Sequence, residues 1–129
     1  MKVILSIKPR FAEAILNGEK LFEYRKQIFK RDVSTVIIYE SSPVCRIVGE
    51  FEIEDILVDE PDVIWHKTQA HSGIDKVFFD MYFSKKNRAY AIKVANVVRY
   101  NAPLEFEFMA NSSHPPQSFM YIRDELKER

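Results

Sequence analysis

Apolar and polar residues follow two periodicities along the chain, and together they predict a mixed fold. Short apolar runs and period-two alternation predict strands over 3–7, 21–25, 33–40, 46–56, 89–100 and 117–122. Helical spacing predicts helices from Pro9 to a stop at Asn17-Gly18, over 59–68 and over 74–83. The predicted order is β-α-β-β-β-α-α-β-β. Because consecutive strands dominate, we expect an α+β fold with a largely antiparallel β-barrel or half-barrel and flanking helices.

The predicted strand over 21–25 carries unusual polar residues. Side chains alternate between the two faces of a strand, so Phe22 and Tyr24 share one face and Leu21, Glu23 and Arg25 share the other. Lys20 precedes this strand, directly after the helix stop. The acid and the base on one face indicate either a ligand-binding group or a solvated outer face with a weak ion pair. The spacing leaves both interpretations open.

The strand over 46–56 alternates regularly and should form one wall of the sheet. Gly49, Phe51 and Ile53 are predicted to face inward, while three glutamates at the intervening positions face outward. A glycine inside a strand often indicates a bulge or a bend. We therefore expect an irregular pairing at Gly49.

Composition limits the fold and the class of site. The 129 residues suit one domain over 1–122 followed by a charged C-terminal tail over 123–129. Three glycines are too few for a Gly-rich phosphate loop, and Cys45, the single cysteine, excludes an internal disulfide and a Cys-rich zinc site. No apolar run is long enough to span a bilayer. We expect a cytoplasmic protein that uses no membrane.

The spacing of the histidines does not indicate a metal site, and the net charge does not indicate tight DNA binding. His66 and His71 are five residues apart, a poor spacing for two ligands on one helix face, so we predict no metal and no cofactor. The net charge is zero, but residues 1–35 hold eight Lys/Arg and four Asp/Glu, whereas residues 36–65 hold one and eight. This distribution is compatible with a local basic groove or with charges that cancel in space after folding. The zero net charge argues against tight non-specific DNA binding.

One motif resembles a known family. A G-x-K-x-x-E-x-R run follows the first helix, with Gly18, Lys20, Glu23 and Arg25 at its defined positions. With Leu5-Ser6-Ile7-Lys8-Pro9 before it, this run resembles the signature of the ASCH domain family in the PUA-like superfamily. The resemblance continues through most of the chain, as far as Pro116-Gln117-Ser118-Phe119. The last segments are most similar to a prokaryotic branch described as predicted transcriptional regulators.

The resemblance implies a cleft, lined by the signature residues, that takes RNA or a modified nucleobase. Lys20 and Arg25 can contact phosphates or base acceptors, and Glu23 can accept from an exocyclic amine. A base also needs a planar surface, for which Trp65 or Tyr39 are candidates, although helix-to-sheet packing is the commoner role for Trp65. Residues near strand ends complete the predicted binding set, namely Lys8, Ser41, Ser42, Gln117 and Ser118.

Three functions remain open at this point. The first is a binding module for single-stranded RNA or a modified nucleotide, with no catalytic residue assigned. The second is a small amidohydrolase acting on N-acetylated nucleosides such as N4-acetylcytidine. Family members with that activity use the signature Lys, a Thr where this chain has Glu23, and a later Glu that residues 66–73 do not supply. The third is a regulator that senses a nucleotide-like ligand. The oligomeric state is not predicted.

Overall fold

A computed structural model describes residues 1–110 and 112–122. Within these residues six strands form one sheet, in the spatial order β2-β5-β4-β3-β1-β6. The predicted C-terminal tail over 123–129 lies outside the described residues, so its separation from the domain stays a prediction. The strands are β1 (Lys2–Ile7), β2 (Phe22–Arg25), β3 (Thr35–Glu40), β4 (Arg46–Asp59), β5 (Ala89–Leu104) and β6 (Phe119–Ile122).

The helices flank this sheet, and the three predicted helices begin within two residues of their predicted starts. The helices α1 (Pro9–Leu16) and α2 (Pro61–Thr68) both start at a proline. Proline suits this position because a backbone N–H in the first turn of a helix would have no partner within the helix. The helix α3 (Lys76–Tyr82) is capped by the Asp75 side chain, which accepts from the Phe78 N–H at 2.8 Å. Two further elements, a 3₁₀ turn (Gln69–His71) and α4 (Phe106–Met109), were not predicted.

The sheet is mixed and curls into a half-barrel with flanking helices, which confirms the expected α+β half-barrel. Every neighbouring pair is antiparallel except β1 and β3, which run parallel with Lys2 opposite Thr35. Helix α1 and β2 lie between these two strands in the chain, as a crossover between parallel strands requires. The same crossover carries the signature residues to the sheet edge formed by β2.

Gly49 permits the bend in β4. The pairing of β4 with β5 shifts register between Ile47 and Gly49, which confirms the predicted irregularity. A Cβ at Gly49 would overlap the Val98 carbonyl oxygen, so only glycine allows the two strands to approach this closely. Phe51 is fully buried and Glu52 is exposed, as the alternation predicts.

Three apolar clusters form the interior. The largest lies under β1, α1, β3 and β4 and includes Phe51, while a second joins β2 to α2 and α3 through Tyr24, Trp65 and Phe79. The third packs α4 and β6 against the opposite face of β1 and β3, through Ile4 and Ile37. The second cluster fixes α3 opposite β2, and the space left between them is where the polar signature residues lie.

Candidate functional site

A cavity of about 320 Å³ opens between the β1–α1 junction, β2 and α3. It is concave and mostly apolar, with a few polar groups that converge, as is usual for ligand sites. The three signature side chains with charge all reach it. Its lining consists of Ser6, Ile7, Lys8, Phe11, Lys20, Glu23, Tyr24, Arg25, Ser41, Ile74, Phe78, Tyr82 and Gln117.

Lys20 reaches the cavity from beneath a loop. Gly18 ends α1 in the left-handed region at φ +87°, which turns the chain toward β2 and brings Lys20 inward. The Lys20 side chain then runs under Gly73, and a Cβ there would lie 2.6 Å from its Cβ and Cγ. Its Nζ donates to the Ser72 carbonyl oxygen at 2.7 Å. The ammonium group is thus held by one loop in one position.

The surroundings of Lys20 change its acidity. The residue is only 2% exposed, and its Nζ lies 4.6 Å from the centre of the Tyr24 ring and 5.3 Å from that of Phe11. Burial lowers the pKa of Lys20 to about 8, with a smaller contribution from Arg10, while the Glu23 carboxylate opposes the shift. Lys20 can therefore bind as a cation or exchange a proton near neutral pH.

Glu23 and Arg25 form a tethered pair on β2. The Arg25 Nη1 donates to Glu23 Oε2 at 3.1 Å and to the Ser6 carbonyl oxygen at 3.3 Å. Its Nη2 donates to the Ser118 hydroxyl at 2.8 Å and to the Ser118 carbonyl at 3.3 Å. Among the hydrogen bonds of the described residues, those to the Glu23 carboxylate engage only Oε2. Arg25 therefore orients the carboxylate and holds residues 116–118 at the cavity edge.

Three aromatic rings form one wall of the cavity, and we call Phe11, Phe78 and Tyr82 the aromatic wall. The Phe11 and Phe78 rings meet edge to face at 5.2 Å, and Phe78 and Tyr82 are nearly parallel, at 12° and 6.3 Å. In the sequence, Phe78 and Tyr82 belong to an apolar stripe at helical spacing. That stripe predicts burial but cannot distinguish packing on a sheet from lining a cavity.

Tyr24 lies below the cavity and joins it to the apolar interior. Its hydroxyl is 2.6 Å from the Thr68 hydroxyl, and its ring packs edge to face with Phe79 at 5.1 Å. Burial raises the pKa of Tyr24 to about 12, so this hydroxyl stays protonated at neutral pH. Tyr24 shapes the cavity with a neutral polar group.

The remaining predicted site residues divide between the cavity and other places. Lys8, Ser41 and Gln117 line it together with the charged signature residues. Ser118 contacts Arg25 without lining the cavity, and Ser42 is exposed in the turn before β4.

Neither proposed stacking residue lies at the cavity. Trp65 is buried against Phe79 at 4.9 Å, in the packing role that is commoner for it. Tyr39 is buried against Phe106 at 5.5 Å in the third apolar cluster. The planar surfaces at the cavity are instead the three rings of the aromatic wall.

Neither a metal-binding cluster nor a membrane-spanning helix occurs among the described residues. Across residues 1–110 and 112–122, no group of three or more His, Cys, Asp or Glu side chains is placed to hold a metal ion. Among the helices in the described part of the chain, none has the length and apolar character that crossing a bilayer requires.

Comparisons with known proteins agree with this architecture. The profile of the ASCH domain family matches residues 5–105. The chain is 28% identical over 132 residues to an ASCH domain-containing ribonuclease of Zymomonas mobilis, with 99% of this chain and 88% of that protein covered. The crystal structure of ASCH from Zymomonas mobilis superposes with a TM-score of 0.89 at 24% identity, covering 98% of this chain and 91% of that one.

A second relative is much longer than this chain. The large ribosomal subunit protein uL22 of Ureaplasma parvum is 27% identical over 122 residues, which cover 94% of this chain. The chain spans 39% of the length of that protein. Since the family profile covers most of the half-barrel, from β1 to the end of β5, this chain belongs to the ASCH domain family, within the PUA-like superfamily.

Proposed function

We propose that this protein binds RNA and holds one unpaired base in the cavity beside β2. ASCH domains are RNA-binding modules, and the range matched by the family profile, 5–105, contains Gly18, Lys20, Glu23 and Arg25. One observation carries the proposal: Lys20, Glu23 and the aromatic wall line the same cavity. A charged donor, a charged acceptor and planar rings are the three kinds of group that recognise an unpaired base.

The size of the cavity supports one base as the occupant. A volume of about 320 Å³ is at the small end of the range for ligand sites. A base inside a duplex is paired and stacked, so the base that enters the cavity must come from a single strand, a loop or an end.

The polar groups suit the edges of a base. The Glu23 carboxylate can accept from an exocyclic amine, and the Lys20 ammonium can donate to a ring nitrogen or carbonyl oxygen. Both Nη groups of Arg25 already have protein partners. We therefore propose that Arg25 orients the Glu23 carboxylate and does not contact a phosphate directly. Lys8, Ser41 and Gln117 complete the proposed binding set at the cavity edge.

Fluorescence anisotropy with a labelled random-sequence RNA pool tests this function. We expect the unmodified protein to bind and Glu23→Gln to bind more weakly, because one acceptor becomes a donor while the shape is kept. Lys20→Met should also weaken binding, since it removes the charge but keeps the buried stem. Lys30→Met, at an exposed site outside the cavity, is the matched control. No binding to any RNA by the unmodified protein would exclude the function.

RNA cleavage is a second candidate function, and the acidity of Lys20 favours it. A lysine with a pKa of about 8 is partly neutral at neutral pH, so it can take a proton from a ribose 2′-hydroxyl. The relative from Zymomonas mobilis is named a ribonuclease. If Lys20 is the base, cleavage of labelled RNA rises with pH through about 8 and is lost in Lys20→Met. Intact RNA after incubation with the unmodified protein leaves binding alone.

Hydrolysis of an N-acetylated nucleoside is less well supported than RNA binding. Glu23 occupies the position where the family's hydrolases have Thr, and it is tied to Arg25 at 3.1 Å. We therefore do not propose this activity. A role in regulation through RNA, within the cytoplasm, is compatible with the proposed binding.

A further inference from the structure

Three exposed cations surround the aromatic wall at the cavity mouth, and we call Lys8, Arg10 and Lys26 the cationic rim. The Arg10 guanidinium lies 4.7 Å from the centre of the Phe11 ring and 5.1 Å from that of Phe78. Lys8 Nζ lies 5.9 Å from the centre of the Phe78 ring, and Lys26 Nζ lies 4.7 Å from that of Tyr82. Cations therefore lie at both ends of the row of rings.

The charge of this rim is not neutralised by neighbouring carboxylates. Other exposed cations of the fold form ion pairs, such as Lys76 with Asp80 at 2.8 Å and Lys93 with Glu54 at 2.9 Å. Between pairs of described residues, no ion pair involves a member of the cationic rim. Positive charge is thus available to a ligand directly beside aromatic rings.

Rings and unpaired cations in alternation suit a nucleic acid strand better than an isolated base. Proteins that bind single strands combine a positive groove for the backbone with aromatic side chains for successive bases. The cavity takes only one base, whereas Arg10 and Lys26 lie outside its lining and the rim extends from the start of α1 to the end of β2. A free nucleoside in the cavity would not reach most of the rim.

We propose that the cationic rim binds the phosphates that flank the base in the cavity, so that the ligand is a single-stranded oligoribonucleotide and not a free nucleotide. The inference rests on the proposed RNA binding and adds Arg10 and Lys26 to the site. Phe78 then supports a neighbouring base as well as the cavity wall. Duplex RNA is excluded as the preferred ligand because its bases are paired and stacked internally.

The test compares Lys8→Ala/Arg10→Ala with Lys30→Ala/Arg31→Ala. Both double variants remove one exposed lysine and one exposed arginine, and Arg31 also lies over a ring, that of Tyr121 at 5.1 Å. The Lys8 side chain makes no capping hydrogen bond to α1, so Ala at these positions keeps the helix start. The second pair lies outside the cavity lining.

Anisotropy titrations with short single-stranded RNA over a range of salt give the decisive measurement. For the rim variant we expect the slope of log affinity against log salt to fall by about 1.4, which corresponds to two lost phosphate contacts on a single strand. We expect Phe78→Leu to weaken binding about tenfold, near the lower end of the loss for one base stack. The Lys30/Arg31 control should retain the slope of the unmodified protein.

Three results would overturn the inference. If the unmodified protein binds RNA and the rim variant keeps both its affinity and its salt slope, the rim makes no phosphate contact while the proposed function stands. Equal or tighter binding of duplex RNA, or of an acidic peptide, would also overturn it. If the unmodified protein binds no RNA at all, the proposed function fails first and the rim assignment fails with it.

Discussion

Lys20 is a cation in an apolar place, and this conflict has a consequence for stability. Its residue is 2% exposed and its pKa is lowered to about 8 because burial disfavours the charged form. The hydrogen bond from Nζ to the Ser72 carbonyl oxygen and the nearby Glu23 carboxylate only partly offset that effect. A buried lysine whose pKa is lowered destabilises the fold while it is charged. That cost disappears as the pH rises and the amine loses its proton.

We expect the free energy of unfolding of the native chain, relative to that of Lys20→Met, to rise between pH 7 and pH 10. The pKa of Lys20 falls from its ordinary value of 10.5 to about 8 on folding, so between these values the unfolded chain binds more protons. The gain should be roughly 2 kcal/mol. Urea denaturation at the two pH values measures it, and Lys30→Met serves as the control. An unchanged difference would show that Lys20 is not desolvated.

Alanine substitutions at Gly73 and Gly18 distinguish the cost of a positive φ from the cost of steric overlap. Both glycines have positive φ, +70° and +87°, but a Cβ at Gly73 would meet the Lys20 stem at 2.6 Å whereas one at Gly18 meets nothing within 4 Å. Gly18→Ala should lose about 1–2 kcal/mol through φ alone. Gly73→Ala should lose at least about 1 kcal/mol more, and it should also weaken RNA binding. Urea denaturation and RNA anisotropy measure the two effects, and equal losses of stability and of affinity would contradict the contact.

At the scale of elements, Arg25 joins three segments that are far apart in the chain. It lies at the end of β2 and donates to the Ser6 carbonyl in β1 and to Ser118 just before β6. The Ser6 hydroxyl also donates to the Pro116 carbonyl at 2.6 Å. Residues 116–118 are therefore held across the cavity edge by the Arg25 and Ser6 side chains, together with one backbone hydrogen bond from the Ser6 N–H to the Ser118 carbonyl at 3.0 Å.

We expect Arg25→Gln to release residues 116–118 while the sheet stays intact. The loss should be about 1–3 kcal/mol, because hydrogen bonds from a charged donor are lost. Limited proteolysis should show faster cleavage near these residues, with near-native circular dichroism. Arg99→Gln breaks an ion pair between half-exposed groups and should change neither property. Equal proteolysis of both variants would contradict the role of Arg25.

Local patterns predict most of these elements, but not all of their contacts. Apolar periodicity and the prolines at helix starts locate β1, α1, β4 and α3, and the G-x-K-x-x-E-x-R run locates the charged site residues. The parallel pairing of β1 with β3 could not be predicted, since either strand could pair with another neighbour. The aromatic wall was also missed. An apolar stripe at helical spacing predicts burial, but it does not distinguish rings that pack on the sheet from rings that line a cavity.

At the scale of the whole molecule, one continuous sheet connects the apolar clusters, so we expect cooperative unfolding. Phe51 is fully buried in the largest cluster, and Phe108 is 75% exposed on α4. Phe51→Ala should lose about 3–5 kcal/mol, and Phe108→Ala should change stability by less than about 0.5 kcal/mol. Urea denaturation followed by fluorescence and circular dichroism checks both. Non-coincident transitions would show that the half-barrel does not unfold as one unit.

The position of residues 115–118 at the cavity edge has a consequence for changing the ligand preference of the protein. Of these residues only Gln117 lines the cavity, and the segment is not part of any strand pair in the sheet. Replacing this short peptide would alter which chemical groups fit at the mouth while leaving the hydrophobic interior untouched. A library restricted to these positions could therefore yield new ligand preferences without rebuilding the scaffold.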